Sequence, residues 1–230
     1  MTIKVERFDL TGQRALVIGN VAPVINALAA AYTGAGAMVT TIECRAGDIG
    51  RRLPGAIAAH DSLDILVSAF DLFLAKPIVE VTPDELGAVM MANCASQFIA
   101  CQHAVVAMRQ QHRGGRIVLV TNVLGERGVP NTTVYAAAHG AVHNLIRALS
   151  QEIAPHAITV NGIALGWMDW MDDRLNPADP EAARALRFPI IKRAGCAADI
   201  GALAVWLSGP GAGYVTGQIF PVDGGLTQHL

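Results

Sequence analysis

Four polar side chains have the types and spacing for acid–base work at a carbonyl. Tyr135 and His139 stand four residues apart in a stretch of helical periodicity (about Val134–Ile153), so phenol and imidazole can meet on one helix face. A phenol can give a proton to a carbonyl oxygen or take one from an alcohol. Asn122, thirteen residues before Tyr135, can donate a hydrogen bond to the same oxygen through its carboxamide. Asn93 lies in the middle of an earlier helical stretch (Pro83–Arg109). The set has a weakness, because a neutral imidazole supplies no fixed positive charge at pH 7 and leaves a phenol near its ordinary pKa of ~10. Three of them also have a plainer role: Tyr135 as a packed ring, Asn93 as a brace for a helix kink, His139 as a polar helix residue.

The elements that must position these residues follow from apolar runs and their punctuation. Ala15–Gly19 is a short apolar run closed by glycine, and Met38–Glu43, Leu63–Ala69, Arg116–Thr121, Ile158–Ile163 and Ile219–Val222 read as further strands. Helices are expected over Val24–Tyr32, Pro83–Arg109, Val134–Ile153 and Asp199–Leu207, the second opened by the capping box Thr82-Pro83-Asp84-Glu85. Gly166–Pro180 reads as irregular. Strands alternating with helices imply crossover connections and a parallel, doubly wound α/β sheet in three layers, with ligands beyond the carboxyl ends of the strands. No linker, repeat or change of composition divides the chain, so residues 1–230 are expected to form one domain.

Composition narrows the function classes. Hydrophobic residues make up 52% of the 230 residues and charged ones 16%, which points to a large aliphatic core and to further surface buried in an oligomer. A net charge of −2 without a basic block argues against nucleic acid or an anionic membrane as partner. The cysteines (Cys44, Cys94, Cys101, Cys196) have neither metal-ligand spacing nor the density of a disulfide scaffold. No run approaches the ~20 apolar residues of a membrane span, and the expected location is the cytoplasm.

The framework motifs carry a resemblance. Gly115-Arg-Ile-Val118, Tyr135, Arg147-Ala-Leu149, Ala154-Pro-His156, Val160-Asn161, Leu165-Gly166, Thr216-Gly217 and Val222-Asp-Gly-Gly225 together resemble the short-chain dehydrogenase/reductase family, nearly end to end. The resemblance implies a Rossmann-like fold and a catalytic Asn, Ser, Tyr and Lys. Asn93, Asn122, Tyr135 and His139 stand at those positions, so the Ser and Lys have changed type. It also implies a glycine-rich turn, usually Thr-Gly-x-x-x-Gly-x-Gly, whose backbone meets a pyrophosphate at a helix N-terminus. Here that stretch is Ile18-Gly-Asn-Val-Ala-Pro-Val-Ile25, and Gly19 alone remains. Glu43 stands where the family's acid bonds the adenosine ribose of NAD.

Two further departures concern the same pocket. Only 24 residues separate Glu43 from Ser68, roughly half of what the family carries for a helix, an edge strand and the adenine wall. The expectation is a sheet lacking that edge strand and helix, with Gly50–His60 as the one stretch there able to be helical. The family's Asn-Asn-Ala-Gly reads Ser68-Ala-Phe-Asp71, which would crowd or repel a dinucleotide. The two tryptophans of Trp167-Met-Asp-Trp-Met171 would form a lid over a ligand or a plug in a vacated site.

These departures give the expected function. The chain reads as a catalytically silent subunit that binds no cofactor and no metal. It would assemble as a homo- or hetero-oligomer, a tetramer by family precedent, with an active family member through its two long helices and C-terminal segment. The family's heterotetrameric dehydrogenases include subunits that have lost their active site. Two alternatives stay open: an active NAD(P)-dependent alcohol or ketone oxidoreductase with relaxed motifs, and a non-redox enzyme of the halohydrin dehalogenase type.

Overall fold

A computed structural model describes residues 8–59, 62–174 and 189–228. Among these, strands β1 (Arg14–Gly19), β2 (Met38–Glu43), β3 (Ile65–Ala69), β4 (Gly115–Asn122), β5 (Ile158–Leu165) and β6 (Ile219–Val222) form one sheet in the order β2-β1-β3-β4-β5-β6. Every neighbouring pair is parallel. From β1 the chain turns outward to β2 and then crosses back to β3 on the other side. The carboxyl ends of β1 and β3 therefore flank the topological switch point, where doubly wound sheets bind ligands.

Alternation along the strands sends side chains to both faces. Leu16, Ile18, Leu66, Ile117, Leu119 and Val160 meet helices α2 (Ile49–Ala58), α4 (Ser96–Gln111) and α5 (Thr133–Ile153) on one side, where α3 (Pro83–Met90) lies against α5. Ala15, Val17, Val67, Val118, Val120 and Ile163 meet α1 (Ala22–Gly34) and α6 (Ala198–Ser208) on the other. Tyr32 ties those two helices together, its hydroxyl sharing a 2.6 Å hydrogen bond with Ser208 Oγ. Strands buried on both faces explain why they read as continuous apolar runs.

The doubly wound α/β fold is the one read from the sequence. Among the described residues β2 is an edge strand, as the shortened connection to β3 implied. The expected loss of the helix after β2 needs correction, because α2 does follow it. Gly50, Pro54 and Gly55 make it a poor helix former. Ile49 and Leu53 nonetheless recur four residues apart and bury against the sheet, with Ala56 and Ile57 packed beside them. The long helix expected over Pro83–Arg109 is present and runs to Gln111, with a π turn, Met91–Ala95, between α3 and α4 that carries Asn93. The irregular segment after Gly166 contains a 3-10 turn, Asp169–Arg174, and residues 175–180 of it lie outside the described residues. No described helix is long and apolar enough to cross a membrane.

Candidate active site

Three of the four residues singled out for catalysis converge on one small cavity at the carboxyl ends of β3 and β4. Tyr135, His139 and Asn122 line it together with Asp71, Trp170 and Met171. Helix α5 delivers the first two on a buried stripe of Tyr135, Ala138, His139, Val142, His143 and Ile146, the spacing of a single helix face. Tyr135 is 1% and His139 2% exposed. Their rings meet edge to face at 4.4 Å between centroids, and Phe73 flanks the phenol at 5.1 Å.

The polar partner of both is Asp71. Tyr135 Oη donates a 2.8 Å hydrogen bond to Asp71 Oδ1. His139 Nε2 lies 3.5 Å from the same oxygen, and its Nδ1 lies 2.9 Å from Thr121 Oγ1. The phenol thus faces a carboxylate where a cation would favour its ionised form. Proton removal from Tyr135 would set two negative charges against each other. In the sequence Asp71 reads only as an obstruction; its bonds span 64 residues and no local pattern announces them. The available signal was positional: Asn20 and Asp71 are polar residues just past the ends of two neighbouring strands.

Asn122 ends β4, and its Oδ1 accepts from Leu124 N at 2.9 Å. The Nδ2 amide is the donor that side chain could offer a ligand. Asn93, expected with the catalytic set, is not among the residues lining the cavity. Its Oδ1 accepts from Leu72 N at 2.6 Å and its Nδ2 donates to Leu72 O at 3.0 Å, so both polar ends brace the segment after Asp71.

Gly19 and Glu43 sit side by side in register at the ends of β1 and β2, outside the cavity lining. A Cβ at Gly19 would lie 2.0 Å from the carbonyl oxygen of Ala69, so the β1–β3 approach alone demands glycine there. Glu43 is exposed, and its backbone oxygen accepts from Arg52 at 3.3 Å. At the start of α1, Pro23 offers no N–H, while Val24 and Ile25 are buried in the core.

The cavity measures ≈ 20 Å³, room for about one water, against ~300–1,000 Å³ for pockets that hold small organic ligands. Trp170 and Met171 form part of its wall, and Met168 beside them is 0% exposed. Below it, the turn Val123–Gly125 lies against α5 so closely that a Cβ at Gly125 would stand 2.7 Å from His143 Cε1. Burial, reinforced by His139 and Arg147, pushes the His143 imidazole down to about 4. Among the described residues no group of three or more His, Cys, Asp or Glu could hold a metal ion.

Sequence and structure comparisons agree on ancestry. Residues 23–227 match the family model described as enoyl-(acyl carrier protein) reductase. The protein named uncharacterized oxidoreductase YohF of Escherichia coli K12 is 32% identical over 189 residues, covering 78% of this chain and 73% of its own. Nodulation protein G of Rhizobium sp. strain N33 is 30% identical and covers 95% of this chain and 98% of its own. Among solved structures, a protein described as an NAD(P)-dependent gluconate 5-dehydrogenase from Beutenbergia cavernae, with NADP bound at low occupancy, superposes with a TM-score of 0.87. It is 26% identical and covers 97% of this chain and 100% of its own. With the parallel sheet, the tyrosine on α5 and these relatives in agreement, the chain belongs to the short-chain dehydrogenase/reductase family.

Proposed function

We propose that this chain is a catalytically silent subunit of a short-chain dehydrogenase/reductase assembly. One observation carries the proposal: Tyr135, the residue that would exchange a proton with substrate, donates its hydroxyl proton to Asp71 inside a cavity of ≈ 20 Å³. The residues present do not fit a dinucleotide. A carboxylate would oppose its phosphates, Pro23 removes a donor where they would lie, and the cavity walled by Trp170 and Met171 is too small for it. No cofactor is therefore assigned to this chain, and Gly19 and Glu43 are assigned no contact with one.

Assembly finds support on the surface. Met91, Phe98 and Val106 recur at seven and eight residues along α4 and its preceding turn, and they are 42%, 53% and 54% exposed. Apolar side chains repeated along one helix face fit contact with another subunit. They lie on one of the long helices through which the family is expected to associate.

A second reading keeps the chain active as an NAD(P)-dependent oxidoreductase. It is favoured by Tyr135 and Asn122 lining one cavity, and by relatives described as oxidoreductases, one with NADP bound. The third, halide-release chemistry of the halohydrin dehalogenase type, is opposed by the carboxylate of Asp71, which would repel the halide.

Tryptophan fluorescence separates the first two readings. Titration with NADH and NADPH should give no saturable quenching up to ~1 mM, the weak end of ordinary affinities. Co-expression with an active family member should give a stable mixed oligomer whose activity this chain alone lacks. Saturable micromolar binding, or a chain that stays homo-oligomeric beside every homologue supplied, would overturn the proposal.

A further inference from the structure

We infer that Asn20 and Asp71 form a latch across the switch-point crevice, and that this latch, more than the histidine at position 139, denies the site to a dinucleotide. The latch rests on the silent-subunit reading and adds the means by which the site is closed.

The β1–β3 register ends at Gly19↔Ala69. Beyond that point two such strands ordinarily diverge into separate loops, and the gap between them is the ligand crevice. Here the pairing runs on. Asn20 N donates to Ala69 O at 3.2 Å. The Asn20 carboxamide then behaves as one more peptide group, its Nδ2 donating to Asp71 O at 2.9 Å and its Oδ1 accepting from Asp71 N at 2.8 Å. Gly19 permits the closure, since any side chain there would strike the Ala69 carbonyl. The crevice is zipped by a side chain.

The zipped segment is held from its other side as well. Asn93 pairs with Leu72 N and O as Asn20 pairs with Asp71 N and O, so two carboxamides clamp two consecutive residues. The Asp71 side chain is thereby fixed within reach of Tyr135 Oη and His139 Nε2. The result is one chain of contacts from the end of β1 through the end of β3 to α5 and Thr121 on β4. Asn20 is a positioning residue acting through Asp71, and the exchange at position 139 lies downstream of it.

The test uses the full chain. Asn20→Gly combined with Asp71→Gly should bind NADH at least tenfold more tightly than the unaltered chain, read by calorimetry and tryptophan fluorescence, with folding checked by circular dichroism. His139→Lys alone should leave binding unchanged. A folded double variant that binds no better, or a His139→Lys variant that gains binding by itself, would sink the latch. Amide hydrogen exchange on the unaltered chain tests it whether or not the variants fold. The Asp71 N–H should be protected at least about tenfold relative to an open loop, and exchange at the open-loop rate refutes the pairing. Micromolar NADH binding by the unaltered chain is a different outcome, which refutes the silent-subunit reading itself.

Discussion

Along β1 and β3 the strand interiors carry branched apolar side chains packed on both faces, whereas the residues just past each strand are polar and bonded to one another. The interiors obey the ordinary demands of a doubly wound sheet: Leu16, Val17, Ile18, Leu66 and Val67 are all within 1% of complete burial. The rim obeys a different demand. Asn20, Asp71 and Tyr135 spend hydrogen bonds on one another or on backbone, and His139 Nδ1 pairs with Thr121, where a ligand-binding rim would keep donors and acceptors for its guest. On the latch proposal, the contrast teaches that a sheet can be kept whole while its mouth is closed. The two regions share almost no side chains, and Gly19, placed at the boundary, is the exception.

Gly19 therefore offers the sharpest way to break the comparison, with the largest expected effect. A Cβ there would lie 2.0 Å from Ala69 O and 2.7 Å from Ala69 C, both backbone atoms that cannot rotate away. Gly19→Ala should destabilise by about 3 kcal/mol or more, since overpacking against backbone exceeds the usual cost of an enlarged core residue. Urea denaturation measures it. A loss below about 1 kcal/mol would mean that the two strand ends separate easily, and that the glycine is a remnant of phosphate binding with no structural duty.

The next effect is a pH dependence that probes the underside of the rim. His143 is 1% exposed, and its pKa is pushed down to about 4 by burial first, then by His139 and Arg147, with the backbone of Asn122 pulling the other way. An unfolded chain would take up this proton near pH ~6.5. Between these values the unfolded state binds more protons than the folded one. Stability from this residue is therefore whole above pH ~6.5, falls as pH drops toward about 4, and levels off below. The loss should total about 3 kcal/mol, and His143→Phe should flatten the curve across that window. An unaltered chain with no fall between these limits would show that His143 is hydrated and that the turn at Gly125 does not seal it.

How much of this was legible beforehand differs between the same two regions. Strand interiors announce themselves locally: Ala15–Gly19 is an apolar run closed by glycine, with nothing else to be. Thr82 and Glu85 announce a helix start, and the reciprocal bonds of the capping box are present, 3.2 Å from Glu85 N to Thr82 Oγ1 and 2.8 Å from Thr82 N to Glu85 Oε2. Tyr135 and His139 could be placed together because helical periodicity fixes neighbours four apart. Asp71 could not be placed with them. Its partners at positions 20, 135 and 139 become neighbours only once the sheet order is known, and a lone Asp after an apolar strand has no periodicity to betray it. Helix α2 was half legible for the converse reason, since Ile49 and Leu53 carry the right spacing while Gly50, Pro54 and Gly55 argue against it.

The smallest effect decides the most about function. Tyr135→Phe removes the hydroxyl that donates to Asp71 and leaves the packed ring against Phe73 and His139. The loss of one charge-assisted hydrogen bond at a largely buried carboxylate should cost about 1–2 kcal/mol, visible as a lower denaturation midpoint. If the rim is sewn shut, that is the whole effect, and the activity of any assembled oligomer should stay within about twofold of the unaltered complex. A tyrosine that still served as acid and base would behave oppositely, its removal lowering turnover by ~10²–10⁴-fold while barely moving stability. The two readings therefore predict opposite rankings of stability loss and activity loss for the same single atom.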